Sequence, residues 1–212
     1  MSQNSLNLCF FWHMHQPDYR GMDGVMSMPW VFLHGIKDYY EMPWLLSLYK
    51  GVKASFNITA PLIEQLNLYS DPLKNDYFLS LWAKEPKELE EKQRVWLIKT
   101  CKSTQYETMV KPIGHFRILY DKESLSEDEL IDFEVLFMLS WCGNYLRLEN
   151  SFIKKLFKKE KNYTQKDKID LLDTLTEFIK TILPFYAKLQ KEGSISLSTT
   201  PYNHPILPLL LN

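Results

Sequence analysis

The chain has 212 residues, of which 45% are apolar and 14% aromatic, enough for one well-packed globular domain. Its 25 basic and 26 acidic side chains nearly cancel, which argues against a nucleic-acid or anionic-membrane partner. No apolar run approaches the ~18 residues of a membrane span, and the N-terminus lacks the basic start of a signal peptide. Cys9, Cys101 and Cys142 lie in apolar runs that are typical of a core and a reducing compartment. We therefore expect a cytoplasmic protein.

Two histidines at the end of the first apolar run form the most informative motif. Residues 6–12 are apolar apart from Asn7 and span the length of a strand, which predicts a parallel strand covered on both faces. Because alternate strand side chains share a face, His13 and His15 should point the same way. Pro17 cannot continue the ladder, since it lacks an N–H. Imidazoles at such a strand end predict a ligand site.

The next segments predict a second strand with helices on either side. Residues 34–49 space their apolar side chains at helical intervals, and Pro43 should divide them into two helices. Residues 52–59 alternate as a strand, and Pro61 then opens a further helix. Two strand–helix units favour a parallel sheet with helical crossovers.

Residues 76–193 contain no clear strand pattern and predict a helical insertion lying over the loop face of the sheet. Ser126 with Glu129 and Thr164 with Asp167 have the spacing of helix capping boxes. Pro184 should kink the last helix of the insertion. Helical spacing covers residues 77–83, 89–101, 127–141, 146–157 and 166–191.

Several charged residues in the chain suggest no function. The lysine-rich stretch of residues 154–168 is interpreted as a solvated loop or helix face. Glu41 and Glu64 fit ordinary surface helix positions, and His34 and His115 have no supporting context.

The end of the chain returns to the strand pattern. Gly193 should close the long helix, and residues 194–200 then alternate as a strand. His204 follows this strand as His15 follows the first, so we expect the three imidazoles to meet at one edge of the sheet. The apolar tail of residues 206–212 should either dock in a groove or lead into further sequence.

These motifs resemble those of a known family. The stretch His13-Met14-His15-Gln16-Pro17 after an apolar strand is similar to the first signature of glycoside hydrolase family 57. Residues 37–46 and 55–66 are similar to the segments that follow it, and residues 193–210 resemble the second signature. The resemblance covers nearly the whole chain.

The resemblance implies an α/β fold, with residues 1–212 forming the amino-terminal portion of a seven-stranded (β/α) barrel. Members of the family act on α-glucans with retention, as α-amylases, 4-α-glucanotransferases and glycogen branching enzymes. The nucleophile and acid belong to later motifs, so no catalytic residue is assigned here. Ser196 also stands where the second signature has Glu. We therefore expect either the first part of a longer enzyme or a decayed reading frame, without turnover on its own.

The resemblance also implies substrate contacts. His13, His15, Gln16 and His204 are the candidates for polar contacts with an α-glucan or maltooligosaccharide. Trp30 and Tyr202 are candidates for stacking on glucose rings, although core packing explains them equally well. No metal or cofactor is expected.

Alternatives from the residues alone remain open. The spacing of His13 and His15 also fits a hydrogen-bonded core pair or a zinc site of the amidohydrolase kind. A glucan-binding remnant without chemistry is a further alternative. Because an unfinished sheet presents unpaired strand edges, a complementary chain or self-association is also expected.

Overall fold

A three-stranded parallel sheet organises the chain in this computed structural model, which describes residues 8–202 and residue 209. The strands are β1 (Phe11–Met14), β2 (Ala54–Ile58) and β3 (Ile195–Ser198), in the order β1-β2-β3. Both pairings are parallel. The α/β class and the parallel sheet expected from the sequence are therefore confirmed, and the sheet supplies the strand ends on which the candidate site lies.

Helices make up most of the rest of the described chain. Between β1 and β2 lie α1 (Trp30–His34), a first π-turn (Gly35–Tyr39) and α2 (Tyr40–Ser47). Between β2 and β3 lie α3 (Ala60–Leu68), α4 (Pro72–Asn75), α5 (Tyr77–Trp82), a 3-10 turn (Pro86–Glu88), α6 (Glu91–Cys101), a second π-turn (Tyr106–Val110), α7 (Gly114–Tyr120), α8 (Glu127–Trp141), α9 (Asn144–Glu149), α10 (Ser151–Lys159), α11 (Gln165–Ile179) and α12 (Ile182–Lys191). No helix within residues 8–202 is long and apolar enough to cross a membrane.

One face of the sheet packs on helix α12. The ring of Tyr186 meets Phe56 edge-on at 5.2 Å between centroids. Its hydroxyl lies 3.0 Å from the sulfur of Met14 and donates to the carbonyl of Tyr39 at 2.8 Å. All four residues are buried. Their burial fixes the sheet against the helices and leaves His13, Asn57 and Ser198 on the opposite face.

The first strand differs from the prediction in its position and burial. It spans Phe11–Met14, so His13 lies within the strand and not after it. Phe11 and Trp12 are 60% and 47% exposed, and Cys9 is exposed as well. The expectation of a strand covered on both faces, with Cys9 in the core, is wrong because β1 is an edge strand of the described sheet.

The predicted effects of two prolines on their helices are also wrong. Pro43 lies inside α2 without dividing it, and the irregular stretch is the π-turn before it. Pro184 is the third residue of α12, and the long helix breaks at Lys180 and Thr181 instead. Pro184 occupies a first-turn position, where a backbone N–H has no partner within the helix and its loss costs little. Pro43 is the fourth residue of α2, in a helical run that continues from α1 through the first π-turn.

The insertion is helical as predicted, with one further break. Helix α8 has the predicted bounds, and both predicted capping boxes form. Gly193 ends α12 with φ +73°, a conformation that glycine adopts without strain. The pattern over residues 146–157 forms two helices, because the side chain of Asn150 accepts from the N–H groups of Phe152 and Ile153 and so starts α10.

Lys168 contradicts the interpretation of residues 154–168 as solvated. Its side chain is fully buried, with Nζ 2.5 Å from Oε2 of Glu134. Nζ also donates to the carbonyl of Lys84 at 2.8 Å and lies 5.4 Å from the ring centre of Trp82. Burial raises the pKa of Glu134 to about 7. The pair therefore joins α11 to α8 inside the helical insertion.

We expect Lys168→Met to lower the free energy of unfolding by ~3 kcal/mol, because it leaves the Glu134 carboxyl buried without its cation. Urea denaturation measures the change. Lys166→Met is the matched control, since Lys166 pairs with Asp170 on the surface, and it should change stability by less than about 0.5 kcal/mol. Equal losses in the two variants would contradict this account of the buried pair.

Candidate functional site

A row of polar side chains crosses the three strands on the face opposite α12. The register places His13 beside Asn57 and Asn57 beside Ser198. Nδ1 of His13 donates to Oδ1 of Asn57 at 2.8 Å, and Nδ2 of Asn57 donates to Oγ of Ser198 at 3.0 Å. Asn57 is only 3% exposed, so its amide holds the His13 ring in one orientation.

His15 lies directly beyond the end of β1. Its Nδ1 is 3.3 Å from the hydroxyl of Thr59, a buried residue directly after β2. The rings of His13 and His15 stack with centroids 5.9 Å apart and planes 15° apart. The prediction that the two imidazoles point the same way is confirmed, and both side chains are exposed.

The loop after β1 is tied to helix α3 by Gln65. This buried side chain donates to the carbonyl of Pro17 at 3.0 Å and accepts from the N–H of Tyr19 at 3.0 Å. The Tyr19 hydroxyl in turn donates to Oε1 of Gln16 at 2.9 Å. Gln16 therefore contributes to the shape of the loop that begins beside His15. No local pattern in the sequence marks Gln65, because its partners depend on tertiary contacts.

A cluster of charges joins three segments near the strand ends. Arg20 contacts Asp18 at 2.6 Å and Glu64 of α3 at 3.0 Å. The hydroxyl of Tyr202 accepts from Arg20 at 2.9 Å and donates to Glu64 at 2.5 Å. The hydrogen bonds from Tyr202 and then Arg20 hold the pKa of the Glu64 carboxyl below its usual range. Tyr202 thereby links the segment after β3 to the loop after β1.

Trp30 lies in a group of aromatic rings with Trp141 and His34. Its half-buried ring lies 6.1 Å from Trp141 at the end of α8. The ring of His34 meets Trp141 edge-on at 5.5 Å, and Nδ1 of His34 is 2.6 Å from Asp38. The i, i+4 spacing of His34 and Asp38 is a signal that sequence analysis could have used. His115, also without predicted context, pairs with Asp132 at 3.0 Å.

His204 and the tail of residues 206–212 lie outside the described residues, apart from Leu209, which is 71% exposed. The meeting of three imidazoles at one edge of the sheet therefore stays a prediction. Ser198 is the β3 residue that the structure places in line with His13.

Two carboxyl groups have raised pKa values, as a general acid requires, but neither reaches solvent. Burial raises the pKa of Asp76 to about 6, and Asp76 accepts from the N–H of Leu79 and the hydroxyl of Tyr69. Glu134 is fully buried beside Lys168. Within residues 8–202, no three His, Cys, Asp or Glu side chains are grouped to hold a metal ion.

The fold and site define an α/β protein with an imidazole pair where parallel strands end. The sequence model of glycosyl hydrolase family 57 matches residues 9–212. The chain therefore belongs to glycosyl hydrolase family 57, as its two motifs indicated, and contains a glycoside hydrolase domain. No curated protein and no solved structure matches it.

We expect Asn57→Ala to lower the free energy of unfolding by ~1–3 kcal/mol, because it removes the amide that bonds both His13 and Ser198. Chemical denaturation measures the change. Asn67→Ala, at an exposed position of α3, is the control and should be nearly neutral. If Asn57→Ala were as neutral as the control, the polar row would not stabilise the sheet.

Proposed function

We propose that the chain is the amino-terminal part of a (β/α) barrel and binds an α-glucan at the polar face of its sheet. Family membership supports a carbohydrate substrate. Ligands of (β/α) barrels bind where the strands end, which is where His15 follows β1. The observation that carries the proposal is the stacked pair of exposed imidazoles, held by Asn57 and Thr59.

The imidazoles would make hydrogen bonds to sugar hydroxyls. Binding costs less entropy when the side chains that contact the ligand are already held in place. The hydrogen bonds to Asn57 and Thr59 hold the two imidazoles in this way. Gln16 and His204 are proposed as further polar contacts. Trp30 and Tyr202 are proposed to stack on glucose rings, with Tyr202 presenting its ring because its hydroxyl already contacts Arg20 and Glu64.

We propose that the two catalytic carboxylates are not among these 212 residues. Retaining hydrolysis needs a nucleophile and an acid about 5–5.5 Å apart. The burial of two carboxyl groups supports this proposal: Asp76 and Glu134 have the raised pKa values that an acid needs, but both are buried away from the polar face of the sheet. The chain by itself would therefore bind an α-glucan without cleaving it. We propose the cytoplasm as its location.

A glucan-binding protein without chemistry is the second candidate. Ser196 favours it, because this exposed β3 residue stands where the family's second signature has Glu. A zinc amidohydrolase is not favoured by any observation on the described residues. The edges of β1 and β3 would pair with a complementary chain or with a second copy, because both flank the described sheet.

We expect the chain to bind maltohexaose and His15→Ala to weaken that binding about tenfold or more, equivalent to ~1.4 kcal/mol for the lost hydrogen bonds. Isothermal titration calorimetry measures the affinity. His115→Ala is the matched control, because its imidazole pairs with Asp132 in the helical insertion. Unchanged affinity in a folded His15→Ala protein would reject the proposed site.

We expect no new reducing ends when the chain is incubated with amylose or maltohexaose, because we propose that the chain contains neither the nucleophile nor the acid. A reducing-sugar assay over a long incubation gives the measurement. Hydrolysis that disappears in the Glu64→Gln variant would overturn this expectation and assign catalysis to Glu64.

A further inference from the structure

A polar cavity of about 270 Å³ lies among the helices. Its charged and polar lining includes Lys37, Asp38, Glu41, Thr108, Asn144 and Arg147. These side chains come from the first π-turn, α2, the second π-turn and α9, with no contribution from a strand. The cavity is therefore separate from the polar row on the sheet.

Both π-turns of the described chain line this one cavity. Lys37 and Asp38 belong to the first, and Thr108 belongs to the second. The first lies within a continuous helical run, and such π-turns are rare and frequently occur at functional sites. The second, about 70 positions away, is a separate turn that lines the same cavity, and this convergence points to a role for the cavity beyond packing.

The cavity is lined by two cationic and two anionic side chains, and these side chains can still make further hydrogen bonds. Within the described residues, Nζ of Lys37 makes no hydrogen bond; it lies 3.8 Å from Asp38 and 5.4 Å from the ring centre of Trp141. Nε and Nη2 of Arg147 donate to the carbonyls of Cys142 and Ser140, whereas Nη1 has no partner there. The cavity thus offers cationic donors close to carboxylates.

The carboxylates also keep acceptor capacity. Glu41 accepts from the backbone and side-chain amides of Asn144 at 2.5 and 2.6 Å, and Asp38 accepts from His34. Each carboxylate has about four lone-pair sites, so both can accept further hydrogen bonds. A ligand carrying net charge would meet a like charge in the lining. A neutral ligand rich in hydroxyl groups can bond both the cationic donors and the carboxylates.

We propose that this cavity is a second carbohydrate site that takes one glucose unit of the α-glucan; the identity of the sugar rests on the proposed function. Its volume is below the about 300–1,000 Å³ typical of sites for drug-sized ligands, which suits a single ring. Lys37 and Arg147 would donate to hydroxyl oxygens, and Asp38 and Glu41 would accept from hydroxyl groups.

Amide NMR of the whole chain, titrated with glucose and then with maltohexaose, tests the proposal. We expect the amide signals of Thr108 and Asn144 to shift with both sugars, independently of the signals of residues 13–16. Thr108→Phe places a ring into the cavity from an exposed position and should weaken the Asn144 titration at least tenfold. Glu107→Phe, on the same π-turn outside the lining, is the matched control.

The outcomes separate the two proposals. Shifts at residues 13–16 without shifts at Asn144 would overturn the cavity site and leave the histidine site intact. Shifts at Asn144 alone would support the cavity and overturn the histidine site. An Asn144 titration unchanged by Thr108→Phe would also overturn the cavity site. Lys37→Gln, which removes a surface-accessible donor, should weaken the same titration about tenfold, and its failure to do so counts against the cavity site.

Discussion

The register of the three parallel strands is the constraint on which the site depends. It places His13, Asn57 and Ser198 side by side, and the buried amide of Asn57 bonds both neighbours. A slip of one residue would turn every side chain of a strand to the other face. The same register places Met14 and Phe56 against Tyr186. Core packing therefore enforces the alignment of the polar row.

The loops beyond the strands are held by side chains distant in sequence. Gln65 of α3 bonds the backbone of the loop after β1, and Arg20 from that loop reaches Glu64 and Tyr202. These contacts bring segments from both ends of the chain to one edge of the sheet. The long helical insertion between β2 and β3 supports the sheet from behind through α12, and it separately forms the cavity between the π-turns.

Sequence patterns predicted correctly the features that depend only on neighbouring residues in the chain. Alternation placed His13 and His15 on one face, and capping boxes fixed the starts of α8 and α11. Sequence patterns failed to predict the features that depend on contacts between distant segments. Lys168 is buried only because α11 packs on α8 opposite Glu134. The helix break before Pro184 could not be located, because a proline in a first helical turn does not interrupt the helix. The partners Asn57 and Gln65 were missed because they require the folded sheet.

A crystal structure of the chain with maltotriose would test the central claim most directly. The account predicts a glucose ring on the polar face of the sheet, with hydroxyl oxygens within hydrogen-bond distance of both His13 and His15. Maltotriose bound away from both imidazoles, with the polar row of His13, Asn57 and Ser198 intact, would contradict it.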